Sequence, residues 1–136
     1  MVDATEVTVP IDNDVDIVVA RQQGRALAQA IGFSGSDLTM IATAISEIAR
    51  NIVVYARRGQ LVISFASRPG KKSGIVVVAT DEGPGIVDVD KALTDGYSTG
   101  GSLGLGLPGA RRLMDELEIQ TEPGKGTTVT MRKWLR

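Results

Sequence analysis

The chain has 136 residues, none of them cysteine or histidine. Without thiols there are no disulfides, thiolate metal centres or cysteine nucleophiles. Without imidazole there is no Ser-His-Asp triad, no imidazole general base and no phosphohistidine intermediate. Proton transfer therefore falls to a carboxylate, a lysine or water. Neither sign of charge dominates: 15 Lys and Arg stand against 16 Asp and Glu, a net charge of −1. That balance implies no bulk attraction to nucleic acid or to an anionic membrane. The uninterrupted apolar runs are shorter than a membrane span. The first residues, Met1-Val2-Asp3-Ala4-Thr5-Glu6, are acidic and carry no charged-then-apolar leader pattern. A cytoplasmic protein with neither nucleic-acid nor membrane partners is expected.

What is present is ordinary for a folded chain: 43% hydrophobic and 23% charged residues. This length supports one domain, residues 1–136, with a real core. Glycine is unevenly spread. Ten of the 16 glycines fall from Gly83 through Gly126. Such clustering points to loops around a ligand rather than to scattered turns.

Thr5 to Ile11 alternates and predicts a short strand ended by Pro10. Asn13 or Asp14 can cap a helix to about Ile31, with Val15, Val18, Val19, Ala26, Leu27 and Ala30 as its apolar stripe and Gly32 as its stop. A second helix is expected to about Arg57, where Leu38, Ile41, Ile45, Ile48, Ile52 and Tyr55 recur at three and four. Gln60 to Ser67 alternates as a strand with one wet face. Ile75 to Ala79 is a continuous β-branched run and predicts a strand buried on both faces. About two dozen loop residues follow Asp81, with a weak helical piece near Val89 to Leu93. Leu105 to Leu117 predicts a third helix with Pro108 in its first turn. Leu117 to Thr121 and Thr127 to Trp134 predict two closing strands. The expected fold is α/β (α+β): a two-layer sandwich whose mixed, mostly antiparallel sheet is covered on one face by helices.

Three segments suggest a magnesium-nucleotide pocket. Glu47 and Asn51 stand four apart, on one helix face. An asparagine carbonyl suits magnesium, which takes few protein ligands, and a nearby glutamate can accept a hydroxyl proton. Asp81 leads Glu82-Gly83-Pro84-Gly85 at a strand end, where a carboxylate can accept a hydrogen bond from an adenine amino group. Gly100 to Gly106 runs into a helix, so main-chain N–H groups and the helix N-terminus can meet phosphate. No Gly-Lys-Ser/Thr follows, so this is not a P-loop, and its place in the chain does not fit a dinucleotide fingerprint. Thr127 can reach a base edge through its hydroxyl. Taken singly, each segment also reads as a wet helix face, a plain turn, a connector or a strand threonine.

With these segments in this order, the chain resembles the GHKL ATPase fold shared by gyrase, Hsp90, histidine kinases and MutL, over roughly residues 5 to 134. Glu47 and Asn51 look like the N box. Asp81-x-Gly83-x-Gly85 and Gly104-x-Gly106 look like the two glycine boxes, and Gly126-Thr127 like the last motif. Within that superfamily it is most similar to the small anti-sigma-factor-type serine-protein kinases, and among them to the stressosome switch kinases. Thr43 to Asn51, Arg112 to Glu116 and Lys133-Trp134-Leu135-Arg136 carry that nearer likeness. The resemblance implies ATP and Mg2+ as cofactors, with Asn51 on magnesium, Glu47 assisting a serine hydroxyl and Asp81 on adenine. Gly83, Gly85, Gly104 and Gly106 would shape base pocket and phosphate lid, and Thr127 would complete the base site. It implies a STAS-domain antagonist as phosphoacceptor, a STAS-containing stressosome scaffold, and a PP2C-type phosphatase activated by partner switching. Spore-type relatives carry an arginine near the second glycine box that meets the terminal phosphate; Ser98-Thr99-Gly100-Gly101-Ser102 offers none. The alternatives are an anti-sigma factor, a non-catalytic ATP-binding regulator of the same fold, and a structural domain without nucleotide.

Overall fold

The computed structural model describes residues 6–83, 106–122 and 124–136. The described elements run β1 (Glu6–Ile11), α1 (Asp14–Ile31), α2 (Ser36–Tyr55), β2 (Gly59–Ala66), β3 (Gly74–Asp81), α3 (Gly106–Leu113), β4 (Glu116–Glu122) and β5 (Gly126–Trp134). The strands form one sheet in the order β1-β2-β3-β5-β4. Every pairing in it is antiparallel. The expected layering is correct, and the described sheet is antiparallel throughout rather than mixed.

Register explains the core. Val9, Leu61, Ala79, Val129 and Ile119 stand in one cross-strand row, and Val7, Ile63, Val77, Met131 and Leu117 in the next. Side chains in such rows share a face. This face meets the helices, and most of its residues are fully buried together with Ile41, Ile45, Ile48 and Ile52 of α2. The intervening rows point away from the helices. Val76 and Val78 are only half-buried there, so β3 is not covered on both faces as its β-branched run suggested. A continuous apolar run does not by itself report a second layer.

Helix α1 begins as expected. Asn13 is its N-cap: the Oδ1 atom accepts from Val15 N at 3.0 Å and Asp16 N at 3.2 Å. Asp16 Oδ2 accepts in return from Asn13 N at 3.3 Å, closing a capping box. Gly32 ends the helix with φ 127°. The buried stripe differs from expectation: it is Ile17, Ala20, Gly24, Leu27 and Ala28. Val15 is 69% exposed and Val18 is also exposed. The cause is Gly24. A Cβ there would lie 2.2 Å from Ile45 Cδ1, so the two helices approach through the glycine, and this crossing sets the rotation of α1.

Pro10 does not end β1. It pairs in register with Gln60, and Ile11 beyond it is fully buried. Because β1 is an edge strand, the missing N–H costs no ladder bond. Helix α3 stops at Leu113, short of Leu117, because Asp115 N donates to Arg132 O at 2.9 Å and draws the chain into the sheet. Helix α2 has the length and mean hydropathy of a membrane span, although its uninterrupted apolar runs are short. Here it is the core helix, packed on α1, α3 and the sheet.

The far end of the sheet is tied by polar contacts around Trp134. Its backbone N donates to Asp115 Oδ2 and its Nε1 to Glu116 Oε2, both at 2.8 Å. The Arg68 guanidinium lies 3.7 Å from the ring centroid. Arg136 Nη2 donates to Asp115 Oδ1 at 2.6 Å. Buried Lys133 donates to Leu113 O at 3.0 Å, at the C-terminus of α3, and lies 4.0 Å from Asp37 in the first turn of α2. Burial alone would raise the Asp115 pKa. The Trp134 N–H and Arg136, with the charge of Lys133, outweigh it and hold the carboxyl below its ordinary value.

Candidate functional site

The C-terminal half of α2 lies over the opposite sheet end, because its apolar stripe carries it across β2 and β3. Ile52 faces Gly59, where an added Cβ would sit 3.1 Å from Ile52 Cγ2 and 2.4 Å from Thr80 O. Gly83 is pressed on Ala56 just past the helix; a Cβ there would lie 2.6 Å from Ala56 Cβ. Only glycine permits these approaches. They clamp the Asp81 turn against the end of α2. Asn51 is five residues before Ala56, about 7.5 Å along the axis, and Glu47 about 13.5 Å.

Asp81 closes β3 and falls in the row Gly59, Asp81, Thr127, Thr121, on the helix side of the sheet. Its Oδ1 accepts from Gly83 N at 2.9 Å, which fixes the carboxylate at the chain turn. Thr127 is 6% exposed. Its hydroxyl lies 3.1 Å from Thr121 Oγ1, which also donates to Gly126 O at 3.1 Å. Gly126 has φ 118°, and a Cβ there would lie 2.2 Å from Asp81 O. Asp81, Gly83 and Thr127 therefore form one compact group, as the sequence suggested.

Glu47 and Asn51 are half-buried on the same face of α2. Glu47 Oε1 is buried, with no hydrogen-bond partner among the described residues. A buried unpaired carboxylate oxygen is costly and calls for a cation or a donor. Gly106 begins α3 with φ 33°, and Leu107, Pro108, Gly109 and Ala110 behind it are buried. Helix α3 packs on α2, which brings the helix that Gly106 begins against the Glu47 helix. Gly85 and Gly104 lie outside the described residues, as does the expected helical piece near Val89.

Among the described residues no cluster of three or more acidic side chains could hold a metal by itself. The donor set that does fit a hard cation is the Asn51 carbonyl with phosphate and water oxygens, beside the unpaired Glu47 oxygen. A cleft of about 640 Å³ opens at this sheet end, lined by Ala56, Arg58, Gly59, Gln60, Thr80, Asp81 and Glu82. It shares Asp81 with the group above but does not reach Glu47, Asn51 or Thr127. Gln60 and Thr80 belong to the open sheet face, so this cleft is the rim of the site.

Sequence reasoning missed four participants. Gly59 and Ala56 act through close approach, which a Gly-Gln dipeptide after a helix hints at weakly. Thr121 is legible only through register. Arg57 has φ 73°, an uncommon conformation for a side chain with a Cβ, and no sequence signal announces it.

The comparisons with known proteins concern the chain as a whole. A family model described as a histidine kinase-like ATPase domain matches residues 10–133. The chain is 50% identical over 128 residues to the serine/threonine-protein kinase RsbT of Bacillus subtilis, covering 94% of this chain and 96% of that one. It is 32% identical over 119 residues to the anti-sigma F factor of Caldanaerobacter subterraneus subsp. tengcongensis, covering 85% and 83%. Identity is 30% over the same length, with the same coverage, to the anti-sigma F factor of Thermoanaerobacter pseudethanolicus.

Proposed function

The chain belongs to the histidine kinase-like ATPase domain family, and from that premise we propose how its residues carry out phosphoryl transfer. It is an ATP-dependent serine/threonine-protein kinase of the partner-switching kind. Its acceptor is a serine on a STAS-domain antagonist and on a STAS-containing scaffold, and its release frees it to activate a PP2C-type phosphatase in the cytoplasm.

Phosphoryl transfer needs in-line placement and neutralisation of spreading negative charge more than covalent help. Asp81, with Oδ1 engaged by Gly83, offers Oδ2 to the adenine amino group, and the Thr127 hydroxyl serves the base edge. Gly83 and Gly85 let the chain approach the ring. Gly104, Gly106 and the N-terminus of α3 serve the phosphates. Asn51 is the protein ligand for Mg2+, which supplies charge neutralisation at the phosphates when bound. Glu47 takes the proton of the serine hydroxyl as the serine oxygen bonds to the terminal phosphorus. The bond to the bridging oxygen breaks and ADP leaves.

One observation carries this reading: a buried Glu47 oxygen without a partner among the described residues, one turn from Asn51 on the same helix face. The test is to incubate the protein with labelled ATP, Mg2+ and its STAS-domain partner. Phosphoserine on the partner is expected, and its absence while the partner still binds favours a non-catalytic regulator. The likeness to anti-sigma F factors motivates a second reading, direct sequestration of a sigma factor. A pull-down that retains a sigma factor rather than the STAS protein supports that one.

A further inference from the structure

Next to Asp81 two threonine hydroxyls meet across the β4–β5 pair, and their protons are not interchangeable. Thr121 and Thr127 are register partners, with their Oγ1 atoms 3.1 Å apart. A hydroxyl has one proton and two lone pairs. Thr121 Oγ1 lies 3.1 Å from Gly126 O and donates to it, because a carbonyl oxygen can only accept. With that proton placed, the bond between the two hydroxyls must be donated by Thr127. The Thr127 oxygen is then left with lone pairs alone. To donate elsewhere it must give up its bond to Thr121, and in a buried residue such a loss is felt. On the other side Thr127 is the register partner of Asp81. An ionised carboxylate only accepts, and the Asp81 Oδ1 atom already takes the Gly83 N–H. Asp81 and Thr127 therefore stand side by side as acceptors.

We propose that Thr121 is a positioning residue that sets base specificity: by taking the Thr127 proton it keeps Asp81 Oδ2 and Thr127 Oγ1 as a pair of acceptors, matched to a purine with an exocyclic amino group and mismatched to one with an exocyclic oxygen. The assignment rests on the reading of Asp81 and Thr127 as the base site. The amino group of adenine has two protons, one for each acceptor. An oxopurine brings an oxygen to the same place and meets only lone pairs. Thr127 can turn its proton toward that oxygen only by breaking its bond to Thr121, at a cost of about tenfold in affinity.

The test measures ATP and ITP affinity by calorimetry on the full chain with Mg2+, for the wild type, Thr121→Val and Thr121→Ser. The two nucleotides differ only in the exocyclic group and the ring proton that goes with it. The wild type is expected to prefer ATP at least about a hundredfold. Thr121→Val frees the Thr127 proton, so the preference should narrow about tenfold, mainly through tighter ITP binding. Thr121→Ser keeps the hydroxyl and should keep the wild-type preference. A merely structural role would weaken both nucleotides together and leave their ratio alone. An unchanged ratio in Thr121→Val, or a ratio that narrows as much in Thr121→Ser, overturns the role of Thr121 and leaves the base site standing. A wild type that prefers ATP, responds to Thr121→Val as stated and yet forms no phosphoserine on the STAS-domain partner keeps that role and overturns the kinase reading. A wild type that binds neither nucleotide, or both alike, overturns the base site and the role of Thr121 together.

Discussion

The two ends of the sheet spend their polar groups in opposite ways. At the Trp134 end the groups answer one another. Asp115 takes the Trp134 N–H and Arg136, Glu116 takes the indole, and Lys133 closes the carbonyl end of α3. Even Arg68, whose Nε has no hydrogen bond among the described residues, lies on the indole face. At the Asp81 end Glu47 holds an oxygen with no partner among the described residues, and Arg57 holds a left-handed backbone. Both ends use glycine for close approach, Gly74 at one and Gly59, Gly83 and Gly126 at the other. On the proposed reading, the difference separates the residues that serve stability from those that serve activity. Substitutions at the first end should cost folding free energy and spare the chemistry, and substitutions at the second should do the reverse.

The sharpest break of that contrast is at Asn51. Asn51→Ala is expected to lower phosphoserine formation by at least about a thousandfold through lost metal-nucleotide geometry. Its thermal midpoint should stay within about 2 °C, since the residue is half-buried and outside the packed stripe. Asp81→Asn should instead weaken ATP binding by about 10- to 100-fold, measured by calorimetry, through loss of a charge-assisted hydrogen bond.

The converse test is Gly74→Ala. An added Cβ would lie 2.3 Å from Lys133 O and 2.7 Å from the Trp134 ring. Chemical unfolding should show a loss of about 3 kcal/mol, with ATP affinity of the folded fraction unchanged. A loss of ATP affinity there would mean that the two ends are coupled through α3.

The smallest expected effect is at Asp115. Its folded pKa is lowered, so its stabilising contribution is present above its ordinary value and lost as pH falls through the lower folded value. Asp115→Asn should cost about 1–2 kcal/mol at pH 7. It should also lose less stability than the wild type as pH falls below about 4. Urea melts across that range measure both.

Much of the fold was legible because local signals agreed with it. Asn13 and Gly32 fixed α1, the three-and-four spacing fixed α2, and Pro108 sat in the first turn of α3. The stripe of α1 was not legible, because residue type favoured the valines while the rotation was set by Gly24 meeting Ile45 across the core. The open face of β3 was not legible either, since a β-branched run looks alike with one layer or two. At the site, the grouping of Asp81, Gly83 and Thr127 could be read because carboxylate, glycine and strand register act locally. Thr121 and Gly59 could not, since they matter only once the strands pair. Arg57 could not, because its message is a dihedral angle.

The reserved oxygen of Glu47 is the centre of this account, and Glu47→Gln tests it most directly. The variant keeps the shape of the side chain and removes its charge. ATP affinity and thermal midpoint should match or exceed the wild type, while single-turnover phosphoserine formation falls at least about a hundredfold. Transfer at the wild-type rate by that variant, with ATP bound as tightly, would contradict it.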